Sequence, residues 1–380
     1  MLQQSVTAGV TNIVMAFAIS AFVAWYYIPR VIKIDARRHL TDHPGPRKVH
    51  NREVPTLGGI GIFGGFGLGF LLNLNGTVKG AAYFMAALII LFFIGLNDDL
   101  TSVKPRKKIA AEACVALILI FFTDIRFTSF HGFLGINEIP LWITCAVTIF
   151  LMIVIINSMN LIDGIDGLAA SIGIISTVTF GVWFWMSGDI GYTVMAAALS
   201  GALVVFLCFN ISKGKYKIFM GDTGSLVIGF ILSVMTIRFN EINVAINTFP
   251  HLHSAPAVSI GILIVPLFDT LRVFTVRVMH GNSPFVADDR HIHHMMLRAG
   301  FSHRQSTFWI TLAHTCIIAM SFTLDGIGIL WLSLVLLLVC SALTCLVYAL
   351  MYRNSLRKHI IVSSEDMNVI KRLPFIHKAM

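Results

Sequence analysis

Charge is what this chain has least of. Asp, Glu, Lys and Arg together make up 12% of its 380 residues, about half the share of an ordinary soluble domain, while apolar runs of spanning length recur from end to end. That combination excludes a soluble globular fold. Cysteine chemistry is missing as well. The six cysteines, at 114, 145, 208, 316, 340 and 345, all lie in apolar runs without metal-type spacing, so they read as small buried hydrophobes. Nor is there a positive charge ahead of the first apolar run: Met1 to Val6 carries none, so that run is expected to stay as a helix rather than be cleaved as a signal. No internal repeat is visible, and acidic groups avoid the middle of the runs, with Glu112 the main exception.

What is present is the pattern of an all-α, polytopic membrane protein. Eleven spans are expected, at about 7–28, 57–72, 80–97, 108–123, 141–157, 167–187, 191–209, 223–239, 257–279, 308–323 and 328–352. Their orientation follows from the basic residues. With the N-terminus outside, 25 of the 28 lysines and arginines share one side, and only Lys79, Arg126 and Arg238 face the other. The positive-inside rule makes the crowded side, and with it the C-terminus, cytoplasmic. Residues 1–352 are then a transmembrane domain with cytoplasmic loops, and 353–380 a basic cytoplasmic tail. The net charge of +9 is accounted for by loops meeting a membrane surface, so no nucleic-acid partner is expected.

Four polar stretches fall on that cytoplasmic side. Asp98-Asp99 closes the third span; Asn157-Ser158-Met159-Asn160-Leu161-Ile162-Asp163-Gly164-Ile165-Asp166-Gly167 joins the fifth and sixth; Phe219-Met220-Gly221-Asp222-Thr223-Gly224-Ser225 opens the eighth; Arg290-His291-Ile292-His293-His294 lies between the ninth and tenth. The external loops hold no comparable cluster, and the convergence points to one site. Each stretch also has a plainer reading. Asp98-Asp99 could be a solvated helix end, although two carboxylates against the negative end of a helix dipole are unfavourable unless a cation or a base function uses them. Asp222 could be an N-cap, but a cap does not require the flanking Gly221 and Gly224, which suit backbone approach to phosphate. The histidines could be an interfacial cluster or a metal site; beside Arg290 they read better as donors to phosphate oxygens. Carboxylates and an amide for Mg2+, together with basic groups for phosphate, are the parts of phosphoryl transfer.

These motifs, with Ser283-Pro284-Phe285 and Asp288-Asp289 leading into the histidines, resemble the polyprenyl-phosphate N-acetylhexosamine-1-phosphate transferases over nearly the whole chain. Arg47-Lys48-Val49-His50 followed by Val54-Pro55-Thr56-Leu57-Gly58-Gly59 is similar to the branch that uses UDP-N-acetylglucosamine. The resemblance implies transfer of N-acetylglucosamine 1-phosphate to undecaprenyl phosphate with release of UMP, at the cytoplasmic face of a bacterial inner membrane, to begin a surface polysaccharide or teichoic acid linkage. It implies Mg2+, with Mn2+ as a substitute, held by Asn160 and Asp222, and Asp98 and Asp99 as the acidic pair near the lipid phosphate. Phe219 matches an aromatic against which uracil stacks, Lys108 a phosphate-binding lysine, Asn157, Asp163 and Asp166 polar substrate-side groups, and Arg290, His291, His293 and His294 the cluster near the donor phosphates. One departure stands out. The family's acidic motif commonly has a third carboxylate after the pair, and Leu100-Thr101-Ser102 follows here.

Direct attack of the lipid phosphate on the β-phosphorus is the expected mechanism, with displacement through a phosphorylated aspartate as its rival. The competing functions are an ion-coupled transporter or lipid flippase, and a non-catalytic scaffold. Transporters place ionisable groups near the bilayer midplane, whereas here they gather at helix ends. The polymer served and the oligomeric state stay open, a homodimer being the assembly considered.

Overall fold

The computed structural model describes residues 2–38, 41–42, 54–74, 76–244, 250–281 and 290–372. Arg47 to His50 and Ser283 to Asp289, both used in the sequence reading, lie outside the described residues.

Every expected span coincides with helix. The first eight are α1 (Leu2–Arg38), α2 (Gly58–Leu72), α3 (Ala81–Thr101), α4 (Pro105–Phe122), α5 (Leu141–Leu161), α6 (Leu168–Met186), α7 (Ile190–Asn210) and α8 (Gly221–Ile242). There follow α9 (Ala255–Ile262), α10 (Ile264–Met279), the short α11 (Ile292–Arg298), α12 (His303–Thr323) and α13 (Ile329–Arg372). Among the described residues, eight helices are individually long and apolar enough to cross a membrane. The remaining expected spans are special in different ways. α2 has only 15 residues, short of the roughly 20 that a bilayer core requires. α4 begins with Arg106, Lys107 and Lys108 and buries Glu112.

The span expected over 257–279 is divided in the structure into α9 and α10, with a bend of 84° between them. Pro266 is the physical reason. It has no N–H to give the Ile262 carbonyl one turn back, and its ring crowds that carbonyl. Leu263 takes up the break at φ −116° and ψ 18°.

α8 is the central post. In the apolar stretch of α8, 83% of residues are buried inside the protein, against 22% for α1 and for α13, which face outward. Without a hydrophobic drive between helices in lipid, such burial depends on close packing of small residues. A Cβ on Gly229 would lie 2.7 Å from the Ile156 Cα of α5, and one on Gly95 of α3 would lie 2.6 Å from the Thr223 Cα. Two hydroxyls in the middle of α8 are satisfied locally: Ser233 donates to the Phe230 carbonyl at 2.7 Å, and Thr236 to that of Leu232 at 2.8 Å.

The two ends of the bundle differ in chemistry. At one end Lys79 pairs with Asp124 at 2.7 Å and Arg238 with Asp189 at 2.8 Å. The opposite end carries the C-terminus of α3, the start of α4, the end of α5 and the start of α8, and with them all the acidic motifs. If the motif end faces the cytoplasm, a cysteine replacing Ser102 in a cysteine-free background stays unlabelled by an impermeant thiol reagent in intact cells, while one replacing Asn137 is labelled. Labelling of the Ser102 position from outside would reverse the orientation.

Candidate functional site

The buried start of α8 exposes the main problem of the site. A helix N-terminus leaves N–H groups without partners, and the N-cap residue here, Met220, offers no side-chain acceptor. Asp99, at the last turn of α3, supplies the missing acceptors. Its Oδ1 accepts from Asp222 N at 2.7 Å, and its Oδ2 accepts from Thr223 N at 3.0 Å and Thr223 Oγ1 at 2.5 Å. Asp222 is therefore not the cap that its sequence context allowed. It is the second residue of the helix, capped from another helix, and its own carboxylate is turned elsewhere.

Around it three helices meet. Lys108, at the first turns of α4, donates to Asp98 Oδ2 at 2.7 Å and to Asp222 Oδ2 at 2.8 Å. Asn160, at the end of α5, donates to Asp222 Oδ1 at 2.7 Å and to Ser225 Oγ at 2.8 Å. One ammonium thus joins the carboxylates of α3 and α8, and one amide joins α5 to the same aspartate. The acidic pair expected from sequence is separated in role: Asp98 faces Lys108, whereas both oxygens of Asp99 are committed to the α8 terminus.

A hard cation fits this donor set. Mg2+ takes oxygen ligands, commonly one or two from protein with the rest from phosphates and water; Asp222 offers a carboxylate, and Asn160, whose Nδ2 is turned to Asp222 and Ser225, keeps an amide oxygen for the same use. Among the described residues, no group of three or more His, Cys, Asp or Glu side chains is arranged to hold a metal, so the fit is to a site that shares its ion with substrate phosphates.

The loop after α5 forms the second wall. Asp163 receives no hydrogen bond from the described residues, and burial, followed by the charges of Asp222, Asp99 and Asp166, pushes its carboxyl up to about 7. Asp166 pairs with Lys217 at 2.6 Å. The Lys217 ammonium lies 5.4 Å from the centroid of the Phe219 ring, which joins these polar groups to the aromatic. Asn210, a residue the sequence reading passed over, ties the two loops together: its Oδ1 accepts from Gly167 N at 2.6 Å and its Nδ2 donates to the Ile218 carbonyl at 2.9 Å. Asn157 is turned inward. Its amide donates to Glu112 Oε2 at 2.6 Å and to the Ile153 carbonyl at 2.9 Å, leaving its oxygen as the atom available to a ligand.

Val54 to Gly59 forms the floor beneath Phe219. Phe219 N donates to the Pro55 carbonyl at 2.8 Å, while Gly58 N and Gly59 N donate to the Phe219 and Met220 carbonyls at 3.0 and 2.9 Å. Asp35 of α1 secures the floor by accepting from Thr56 N at 3.0 Å. A Cβ on Gly59 would collide with the backbone nitrogen of Gly224, and Gly221 holds φ +70° where a Cβ would meet the Thr56 carbonyl.

The histidines complete the rim. His291 donates through Nδ1 to Asp269 Oδ2 at 2.8 Å, and Asp269 Oδ1 accepts from Ile292 N at 2.9 Å and from Arg272 Nη2 at 2.7 Å. Arg272 also donates to the Arg290 carbonyl at 2.6 Å. The His293 ring is parallel to that of His291 at 5.8 Å between centroids and lies 4.2 Å from that of His294. His293 is buried against Gly164, where even a Cβ would strike its Nε2, and burial pushes its imidazole down to about 3, so it is neutral. Asp269 and Arg272 escaped notice as site residues because they sit in an apolar run, although Pro266 nearby was a readable sign that the run is broken.

Residues 81–240 match the family described as glycosyl transferase family 4. The chain is 30% identical over 284 residues to the undecaprenyl-phosphate alpha-N-acetylglucosaminyl 1-phosphate transferase of Escherichia coli strain K12, covering 74% of this chain and 75% of that protein. The protein of the same name from Yersinia pestis is 29% identical, covering 80% of each chain. A probable undecaprenyl-phosphate N-acetylglucosaminyl 1-phosphate transferase of Bacillus subtilis strain 168 is 28% identical, covering 86% of this chain and 89% of its own.

The two aspartates at α8 are expected to respond differently to mutation. Asp222→Asn removes charge from the cleft but no cap, so turnover falls on the order of 10²-fold while the unfolding temperature in detergent stays near the parent's. Asp99→Ala uncovers the N-terminus of α8 and lowers stability by about 1–3 kcal/mol, read as a shifted thermal transition.

Proposed function

The chain belongs to glycosyl transferase family 4, and from that premise we propose that it transfers N-acetylglucosamine 1-phosphate from UDP-N-acetylglucosamine to undecaprenyl phosphate, releasing UMP. The reaction takes place at the cytoplasmic face of a bacterial inner membrane and depends on Mg2+. The observation that carries this reading is Lys108 bridging Asp98 and Asp222 while Asn160 bonds to the same Asp222. Together these groups form a small charged cleft at the mouth of an apolar helix bundle, where a lipid-borne phosphate meets a soluble nucleotide.

Asp222 and Asn160 would hold the ion, which would supply positive charge against the donor pyrophosphate and the departing UMP. Lys108 moves from its two carboxylates to phosphate oxygens as substrates enter, and Asp98, released from it, orients the lipid phosphate and accepts any residual proton. A phosphate anion is already a nucleophile, so little base catalysis is required. Phe219 offers its ring to the uracil, with Lys217 and Asp166 beside it. His291, aimed by Asp269, together with His293, His294 and Arg290, faces the donor phosphates. Asp99 remains bonded to α8 throughout and takes no proton.

Purified enzyme given radiolabelled UDP-N-acetylglucosamine, Mg2+ and undecaprenyl phosphate is expected to yield a butanol-extractable labelled lipid and one UMP per lipid; a transporter or a scaffold yields none. The mechanism is tested by omitting the acceptor. Direct attack requires both substrates, so enzyme stripped of copurified lipid exchanges no labelled UMP into the donor. Stoichiometric UMP release without acceptor, with label retained on Asp98, would establish a covalent route instead.

A further inference from the structure

The Ile262 carbonyl is the group that Pro266 deprives of its helical partner, and it lies deep in the bundle at the 84° bend between α9 and α10. An unpaired carbonyl there costs several kcal/mol on the order of a full desolvation penalty. Ser176, a fully buried residue of α6, donates its hydroxyl to that carbonyl at 2.8 Å. His314 of α12, also fully buried, stands 3.3 Å from the same hydroxyl through Nε2. Since the Ser176 proton goes to Ile262, its oxygen is free to accept, and Nε2 must carry the hydrogen. The other ring nitrogen, Nδ1, has no partner, as a bare lone pair tolerates and an N–H would not. The chain of donors therefore runs His314 Nε2–H to Ser176 Oγ–H to Ile262 C=O, with a neutral imidazole.

The site depends on this bend. Asp269 lies in α10 less than two turns past the break, and it aims His291 and anchors the start of α11. α9 is fastened separately, by Asn240 Nδ2 donating to Ser259 Oγ at 3.0 Å, while α10 packs against α5, α12 and α13, so the bond network at the break is what links the two halves directly.

We infer that Ser176 and His314 are positioning residues, an intramembrane catch that fixes the α9–α10 angle and, through Asp269, places the histidine cluster. The catalytic half of this inference rests on the proposed transferase reaction; the structural half does not. Without the catch, α10 samples a range of angles, and the groups that lose register are those facing the donor phosphates, while Asp98, Lys108 and Asp222 lie on other helices.

The test measures the angle directly. Nitroxides on cysteines replacing Ile260 and Leu271, both on exposed faces, report the α9–α10 distance by pulsed dipolar spectroscopy in an otherwise cysteine-free, detergent-solubilised protein. The parent is expected to give one narrow distance, Ser176→Ala and His314→Leu a broadened or shifted one, and His314→Gln, whose amide donates in place of Nε2–H, a distribution close to the parent's. In transfer assays with intact cysteines, Ser176→Ala and His314→Leu raise KM for UDP-N-acetylglucosamine about tenfold, leave KM for undecaprenyl phosphate within about twofold, and His314→Gln restores the parental value. Unchanged distances in both disabling variants would overturn the catch, as would an equal loss for both substrates. If the distances broaden as expected but the parent makes no lipid product, the catch stands and the transferase reading fails.

Discussion

The structure depends on covering the N-terminus of a helix whose start is largely walled off by protein. α8 starts at the centre of the bundle, and its first N–H groups are satisfied by Asp99, whose two oxygens accept from Asp222 and Thr223. The positive end of the helix dipole and the negative end of α3 meet there with a carboxylate between them, so the electrostatic strain that two aspartates at a helix C-terminus would otherwise carry is relieved by geometry. Close approach is the condition for this bond. Gly95 on α3 and Gly59 on α2 both touch the backbone of α8 at Thr223 and Gly224, and a side chain at Gly95 would push α3, and Asp99 with it, away from α8. Because Asp99 serves the backbone, Asp222 is free to point its carboxylate at Lys108 and Asn160.

Much of this was readable from the chain, for reasons tied to particular residues. Apolar length marked each span, and the motif residues announced themselves as polar groups at run ends: Asn160 and Asp222 do meet, as does His293 with the loop bearing Asp163. The unreadable part has a common cause. Asp269, Ser176 and His314 are polar residues within largely apolar helices and Asn210 closes another, and their partners are distant in sequence, so nothing local distinguishes a functional buried side chain from an incidental one. The role of Asp99 was hidden differently. Adjacent aspartates look equivalent in sequence, but successive residues of a helix point about 100° apart, which sends Asp98 to the cleft and Asp99 to the neighbouring helix.

The site is held by elements of two kinds. Asp98, Lys108, Asn160 and Asp222 come from rigid helix ends packed against one another, while Asp163, Asp166, Lys217 and Phe219 come from short loops tied down by Asn210 and by the Pro55 carbonyl. The first group suits the ion and the reacting phosphates, where small displacements are costly. In the proposed reaction the second would surround the part of the substrate that is recognised rather than changed.

The bond between Phe219 N and Pro55, and those returned by Gly58 and Gly59, also bear on how such a molecule is made. Residues 81–240 carry the segment matched to the family, yet the floor of its cleft is contributed by chain that leaves the ribosome more than 150 residues before Phe219. During synthesis that floor waits with unpaired backbone groups until α8 arrives, and α8 in turn cannot be covered until α3 is beside it. Assembly of the cleft is thus a late event in membrane insertion, and a chain released before residue 225 would hold most of the acidic groups and no site.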